Sequence, residues 1–222
     1  MKRRSNKSIV ISLFDRSGIM VEPWAEAGYD CWIIDVAHPQ AFDNNGVSLD
    51  DRGIRRVHHD LSTPWLFPGD RSDVAIVFAF PPCDHLAVSG ARWFKGKGLR
   101  PLAKSIELFA SASEFCEWVG ASYLIENPVS TISTHWRKPD YTFHPFQYTG
   151  YYETDNYTKK TCLWTGNDFS MPEPLLLWGL DRPDNRIHAM PPAPDRAAAR
   201  GMTPCGFSRA VFESNKQVCA AT

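Results

Sequence analysis

The order of apolar runs along the chain predicts an α/β domain with a largely parallel central sheet. Three observations carry this. Strand-like apolar runs recur at Ser8–Phe14, Cys31–Asp35, Asp73–Phe80 and Ser122–Glu126, and a segment of helical period lies between 101 and 119. Each strand also ends on a polar or reactive residue: Asp15, Asp35, Asp60, Cys83 and Glu126 all stand at predicted carboxyl ends. That is the edge where an open α/β sheet builds its ligand crevice, so a set converging there is harder to explain as turn-forming than any single member.

Each element follows from local chemistry. SIVISLF at 8–14 is apolar and β-branched, bounded by a basic tail and by Asp15-Arg16-Ser17-Gly18. A short helix is predicted at 23–27, with Pro23 in its first turn, where a missing N–H costs nothing, and Gly28 just past its end. Residues 39–53, rich in Asn, Asp, Gly and Pro, read as a loop, and 56–60 as a short third strand. Asp73–Phe80 is continuously apolar, as in the middle of a parallel sheet, and stops at Pro81-Pro82. In the helix predicted over 101–119, Leu102, Ile106, Phe109, Cys116 and Val119 share one face. A strand at 160–164 and a helix at 207–218 complete the elements, and the stretch 170–195, with six of the seventeen prolines, reads as irregular coil.

Composition bounds the function. With 222 residues, 43% hydrophobic and 13% aromatic, the chain forms a sizeable core and does not have the composition of a disordered segment. The expected organisation is a basic flexible tail at 1–7 and a single domain over 8–222, with 167–200 a proline-rich segment inside it. No apolar run approaches about 20 residues, so a protein with no membrane association is expected. The six cysteines are irregularly spaced without a CxxC pair, which suits reduced thiols in a cytoplasm rather than a disulfide framework or a zinc site, and no metal is expected. A net charge of −1 excludes an extensive basic face, so any anion recognition must be local.

One such patch lies at 84–104, where Arg92, Lys95, Lys97, Arg100 and Lys104 stand against Asp84 alone, with Gly90, Gly96 and Gly98 between them. It suits a loop closing over an anionic substrate, with Trp93 and Phe94 stacking a base or anchoring the loop; a solvated charged loop is the plain alternative. Cys83 directly after two prolines is a thiol held at the mouth of a site, the placement a nucleophile needs. Glu126 ends the next strand, where a carboxyl group in a dry pocket holds a proton at neutral pH.

Taken together these residues resemble the cytosine carbon-5 methyltransferase family over roughly Ile9 to Gly166, with a looser echo at Gly206–Phe212. Phe80-Pro81-Pro82-Cys83 resembles the family's Pro-Cys nucleophile motif, although Asp84 stands where Gln is usual and Ser89-Gly90 come late. Glu126-Asn127-Pro128 resembles its Glu-Asn-Val motif. Phe14-Asp15-Arg16-Ser17-Gly18 resembles its Phe-x-Gly-x-Gly turn, with Arg16 in place of the first glycine. Asn156–Thr161 resembles a drifted Gln-x-Arg-x-Arg motif, with Lys159 and Thr161 on the two arginines.

The resemblance implies a Rossmann-like S-adenosylmethionine-dependent methyltransferase fold, and it implies roles. Cys83, Glu126, Asn127, Lys159 and Thr161 would be catalytic. Phe14, Asp15, Arg16, Ser17, Gly18, Asp35, Asp60 and Pro81 would hold the methyl donor, S-adenosylmethionine, with Asp35 on its ribose and Asp60 on its adenine. Pro82, Ser89, Arg92, Lys95, Lys97 and Lys160 would face the substrate, and because neighbouring strand residues point to opposite faces, only one of Lys159 and Lys160 should reach it.

Family members that read specific DNA sites carry a large recognition domain, and residues 167–200 offer no room for one. The substrate is then cytosine in DNA with low sequence specificity or a cytosine nucleotide, unless a partner protein supplies recognition. Small relatives of this kind are familiar from bacteriophage genomes, so the resemblance implies a phage origin and the cytoplasm of a bacterial host. A binding module that kept the fold and lost turnover is the alternative, for which Arg16 and Thr161 speak and the Cys83 and Glu126 pair does not.

Overall fold

The computed structural model describes residues 8–40, 46–93, 96, 98–191, 193 and 196–216. The basic tail at 1–7 and the side chains of Arg92, Trp93, Phe94, Lys95 and Lys97 lie outside the described part. The chain folds as α/β around an eight-stranded mixed sheet. Its strands are β1 (Ile9–Leu13), β2 (Asp30–Asp35), β3 (Val47–Leu49), β4 (Arg55–His58), β5 (Val74–Ala79), β6 (Ser122–Pro128), β7 (Tyr141–Phe143) and β8 (Thr161–Gly166). They lie in the order β3-β4-β2-β1-β5-β6-β8-β7. The central five, β4, β2, β1, β5 and β6, run parallel, while β3, β8 and β7 are antiparallel to their neighbours. Strand order reverses between β1 and β5, which opens a crevice at their carboxyl ends.

Period-two alternation sorts the strand side chains onto two cores. From β1, β2 and β6, Ile11, Leu13, Trp32, Ile34, Tyr123 and Ile125 face one side. Val10, Cys31, Ile33 and Leu124 face the other. The first core is covered by α2 (Leu99–Val119), which buries Phe109, Ala112, Phe115, Cys116 and Val119. The second is covered by Trp24 of α1 (Glu22–Glu26) and by Phe207, Ala210 and Val211 of the C-terminal helix at Cys205–Asn215. Both faces of the parallel strands are therefore dry, which is why these runs read as continuously apolar.

Helix ends follow the predicted signals. Pro23 sits in the first turn of α1, and Gly28 takes φ 86° just past it. Gly120 closes α2 in the left-handed region, its N–H bonded to the Cys116 carbonyl.

The structure departs from the sequence reading in four places. The loop predicted at 39–53 contains β3, paired with β4 through a turn in which the Asp50 carboxylate accepts from the Arg52 and Ile54 N–H groups. The third strand stops at His58 rather than Asp60, because the Asp60 carboxylate captures the Ser62 N–H and opens a turn. β7, three residues long, has no counterpart in the reading. The coil at 170–195 carries one short helix, α4 (Arg186–Ala189), preceded in chain order by α3 (Ile132–His135) and followed by α5 (Arg196–Gly201) and α6 (Cys205–Asn215). No helix among the described residues is long and apolar enough to cross a membrane.

Candidate active site

β5 leaves the sheet at Pro81-Pro82-Cys83, and β6, its parallel neighbour, ends on Glu126-Asn127-Pro128. The two exits are tied together. The buried Asn127 side-chain amide donates to the Pro81 carbonyl at 2.8 Å. Beyond Cys83 the Leu86 and Ala87 N–H groups fold back onto the Cys83 carbonyl, and the Val88 N–H bonds to the Val129 carbonyl across the gap. The thiol and the Glu126 carboxyl thus stand side by side on a braced edge.

They share one cavity of about 750 Å³, whose wall also includes Pro81, Pro82, Ser89, Asn127, Lys159 and Lys160. Both lysines reach it. Alternation does not apply to them because β8 begins only at Thr161, so residues 159 and 160 belong to the approach and not to the strand. Thr161 is buried, with its hydroxyl on the Lys159 carbonyl, and is not on the cavity wall. Lys159 is steadied by a bond from Nζ to the Met202 carbonyl at 3.1 Å.

Electrostatics couples these groups. Burial, together with the Glu126 and Asp84 carboxylates, pushes the Cys83 thiol up to about 11, while Lys159 pulls it down. Burial raises Glu126 above the usual carboxylate range, again against Lys159. A carboxyl whose pKa is raised by burial is a readier proton donor to a bound ring than a solvated one; a thiol pushed up this far needs help to become a nucleophile.

At the neighbouring edge, the Phe14–Gly18 turn follows β1. Phe14 adopts φ 56°, unusual for a residue with a side chain, and Gly18 adopts φ 71°. Asp15 is buried and its carboxylate is engaged within the turn: Oδ1 accepts from the Gly18 N–H at 2.8 Å and the Ser17 N–H at 3.0 Å, and Oδ2 from the Ser12 hydroxyl. Arg16 is exposed. A Cβ on Gly18 would lie 2.9 Å from Arg52 Nη2, which itself donates to the Ser17 carbonyl. Asp35 is partly exposed at the end of β2, with Oδ1 on the Ala37 N–H at 2.7 Å. Asp60 is exposed, its carboxyl held below the usual range by the Ser62 N–H and hydroxyl. None of these residues lines the cavity that holds Cys83.

Residues not anticipated complete the picture. His38 is buried behind the Phe14–Gly18 turn, its Nε2 donating to the Asp15 carbonyl oxygen at 2.9 Å, and burial lowers its pKa. His188, Arg196 and Arg200 form part of the wall of the Cys83 cavity. Their only sequence signal was a set of cations in a stretch dominated by proline, which composition alone assigns to coil. Among the described residues no group of three His, Cys, Asp or Glu side chains is placed to hold a metal ion. Compared with protein-family models and with curated proteins, the sequence matches none.

Proposed function

We propose that the protein transfers a methyl group from S-adenosylmethionine to carbon 5 of cytosine, in DNA with low sequence specificity or in a cytosine nucleotide. The observation that carries this is Cys83, Glu126 and Lys159 in a single cavity at the ends of two adjacent parallel strands. The donor, when bound, supplies an electrophilic methyl group. The Phe14–Gly18 turn, braced by Asp15, follows β1 at the strand-order reversal, and the partly exposed Asp35 ends the neighbouring β2; both stand at the carboxyl edge from which an open α/β sheet presents a cofactor.

The residues divide the chemistry among them. Cys83 Sγ, as thiolate, bonds to carbon 6 of the ring. Glu126 gives its proton to ring nitrogen 3, so no negative charge accumulates as carbon 5 becomes nucleophilic. After methylation, transfer of the carbon-5 proton to a solvent water expels the Cys83 thiolate, and nitrogen 3 returns its proton to Glu126. Lys159, which favours both the thiolate and the carboxylate, offsets the charge of whichever is ionised. Asn127 holds the Pro81 carbonyl and so positions the loop that carries the nucleophile.

The test is transfer of a labelled methyl group to duplex DNA, a single-stranded oligonucleotide and deoxycytidine 5′-monophosphate. Transfer to at least one is expected, and Cys83→Ser should abolish it. Full activity in that variant would sink the mechanism, and binding without transfer to any substrate would make the protein a binding module.

A further inference from the structure

The lining of the Cys83 cavity is rich in cations. Lys159, Lys160, Arg196 and Arg200 line it against two carboxyl groups, Asp84 and Glu126. None of these four cations is in an ion pair among the described residues. Arg196 gives its Nε to the Met190 carbonyl at 2.9 Å, a bond that orients the guanidinium without neutralising it. Arg200 is half-buried and has no hydrogen bond or ion pair among the described residues, and Lys160 has none either. A guanidinium that lines a cavity without a partner among the described residues is free to bind an anion that enters it.

The segment is also held in place. Ile187 is buried, and the Asp184 carbonyl accepts from the Thr158 N–H at 2.8 Å. Asp184 pairs with Arg186, which stacks over Tyr157. The approach to β8 and the proline-rich stretch are thereby joined, so the basic wall is presented by a supported segment. A cavity of about 750 Å³ falls within the range of small-molecule sites, roughly 300–1,000 Å³.

We infer that Arg200, Arg196, Lys160 and His188 form a phosphate subsite for the nucleotide whose ring lies against Cys83 and Glu126. The proposal rests on the methyl-transfer reading for the identity of the ring, and on the unpaired cations for the phosphate. The phosphate attached to the target base is then gripped by this chain's own cavity lining.

Equilibrium binding by calorimetry tests it, with deoxycytidine, deoxycytidine 5′-monophosphate and a single-stranded tetranucleotide containing one cytosine as probes. Wild-type protein should bind the monophosphate about tenfold or more tightly than the nucleoside. Arg200→Gln, and separately Arg196→Gln, should shrink that ratio while leaving nucleoside affinity and the circular dichroism spectrum unchanged. A ratio unchanged in both variants, or near one in wild type, overturns the subsite. Tighter binding of the tetranucleotide than of the monophosphate, lost in the same variants, assigns the phosphate to a polynucleotide, and the reverse order assigns it to a mononucleotide; both support the subsite. The two readings fail separately. Phosphate preference without methyl transfer to any probe overturns the methyl-transfer reading alone, and transfer without phosphate preference overturns the subsite alone.

Discussion

Cys83 and Glu126 are tuned against their own ionisation in the free protein, and that makes both testable one residue at a time. With the thiol pushed up to about 11, alkylation by iodoacetamide should be slow at pH 7 and rise steadily through pH 10. Glu126→Gln removes a nearby negative charge and should speed alkylation of Cys83 at pH 8, whereas Lys159→Ala should slow it further. The opposite order would break the coupling on which the mechanism depends. Glu126 also has a stability signature. Its folded pKa is raised above the unfolded value, so the folded state holds the proton more tightly. The penalty of burying the carboxylate is absent below the unfolded pKa of about 4.3, grows as pH rises towards the folded value, and is fully present above it. Glu126→Gln should therefore unfold at a higher temperature than wild type at pH 7.5, with the difference vanishing near pH 4. Equal melting temperatures at both pH values would show that the carboxyl is not held in a desolvated site.

Between elements, the decisive contact is the Asn127 amide on the Pro81 carbonyl, which fixes the exits of β5 and β6 relative to one another. Asn127→Ala should cost about 1–2 kcal/mol in denaturant unfolding and lower the rate of transfer more than it weakens substrate binding. The Phe14–Gly18 turn offers a second probe. Gly18→Ala meets both a left-handed backbone and the Arg52 guanidinium, so it should cost about 1 kcal/mol or more and weaken binding of S-adenosylmethionine. Unchanged donor affinity would remove the turn from the donor site.

The same scale shows what could be read in advance. Strands buried on both faces and the long amphipathic helix announce themselves through apolar runs and periodicity, as do Cys83 and Glu126 at strand ends. β3 and β7 do not, because three-residue strands are stabilised by pairing with distant partners and carry no pattern of their own. The expectation that only one of Lys159 and Lys160 reaches the site differs from the structure for a related reason: alternation holds only inside a strand, and β8 starts at Thr161.

Across the whole molecule, a net charge of −1 conceals a site with a local excess of cations. Composition averages over that contrast. His188, Arg196 and Arg200 are brought to Cys83 only by the path of a segment with little regular structure, so their role emerges from tertiary placement and not from spacing. Residues of α4 and α5 line the cavity of about 750 Å³ that also holds Cys83. Binding should weaken with salt, but with the shallow dependence of one or two phosphate contacts rather than the steep slope of an extended DNA interface.

The proposed methyl transfer depends on a covalent bond between Cys83 and the cytosine ring, and 5-fluorocytosine tests that bond directly. A fluorine at carbon 5 cannot leave as a proton, so the adduct formed after methyl transfer is trapped. Incubating the protein with S-adenosylmethionine and the substrate that accepts methyl in the transfer assay, now carrying 5-fluorocytosine, and mapping its peptides by mass spectrometry should give a single modified site at Cys83. The adduct should carry the added methyl group, depend on the donor, and be absent in Cys83→Ser. Methyl transfer without such an adduct, or an adduct that persists in the serine variant, would contradict the mechanism.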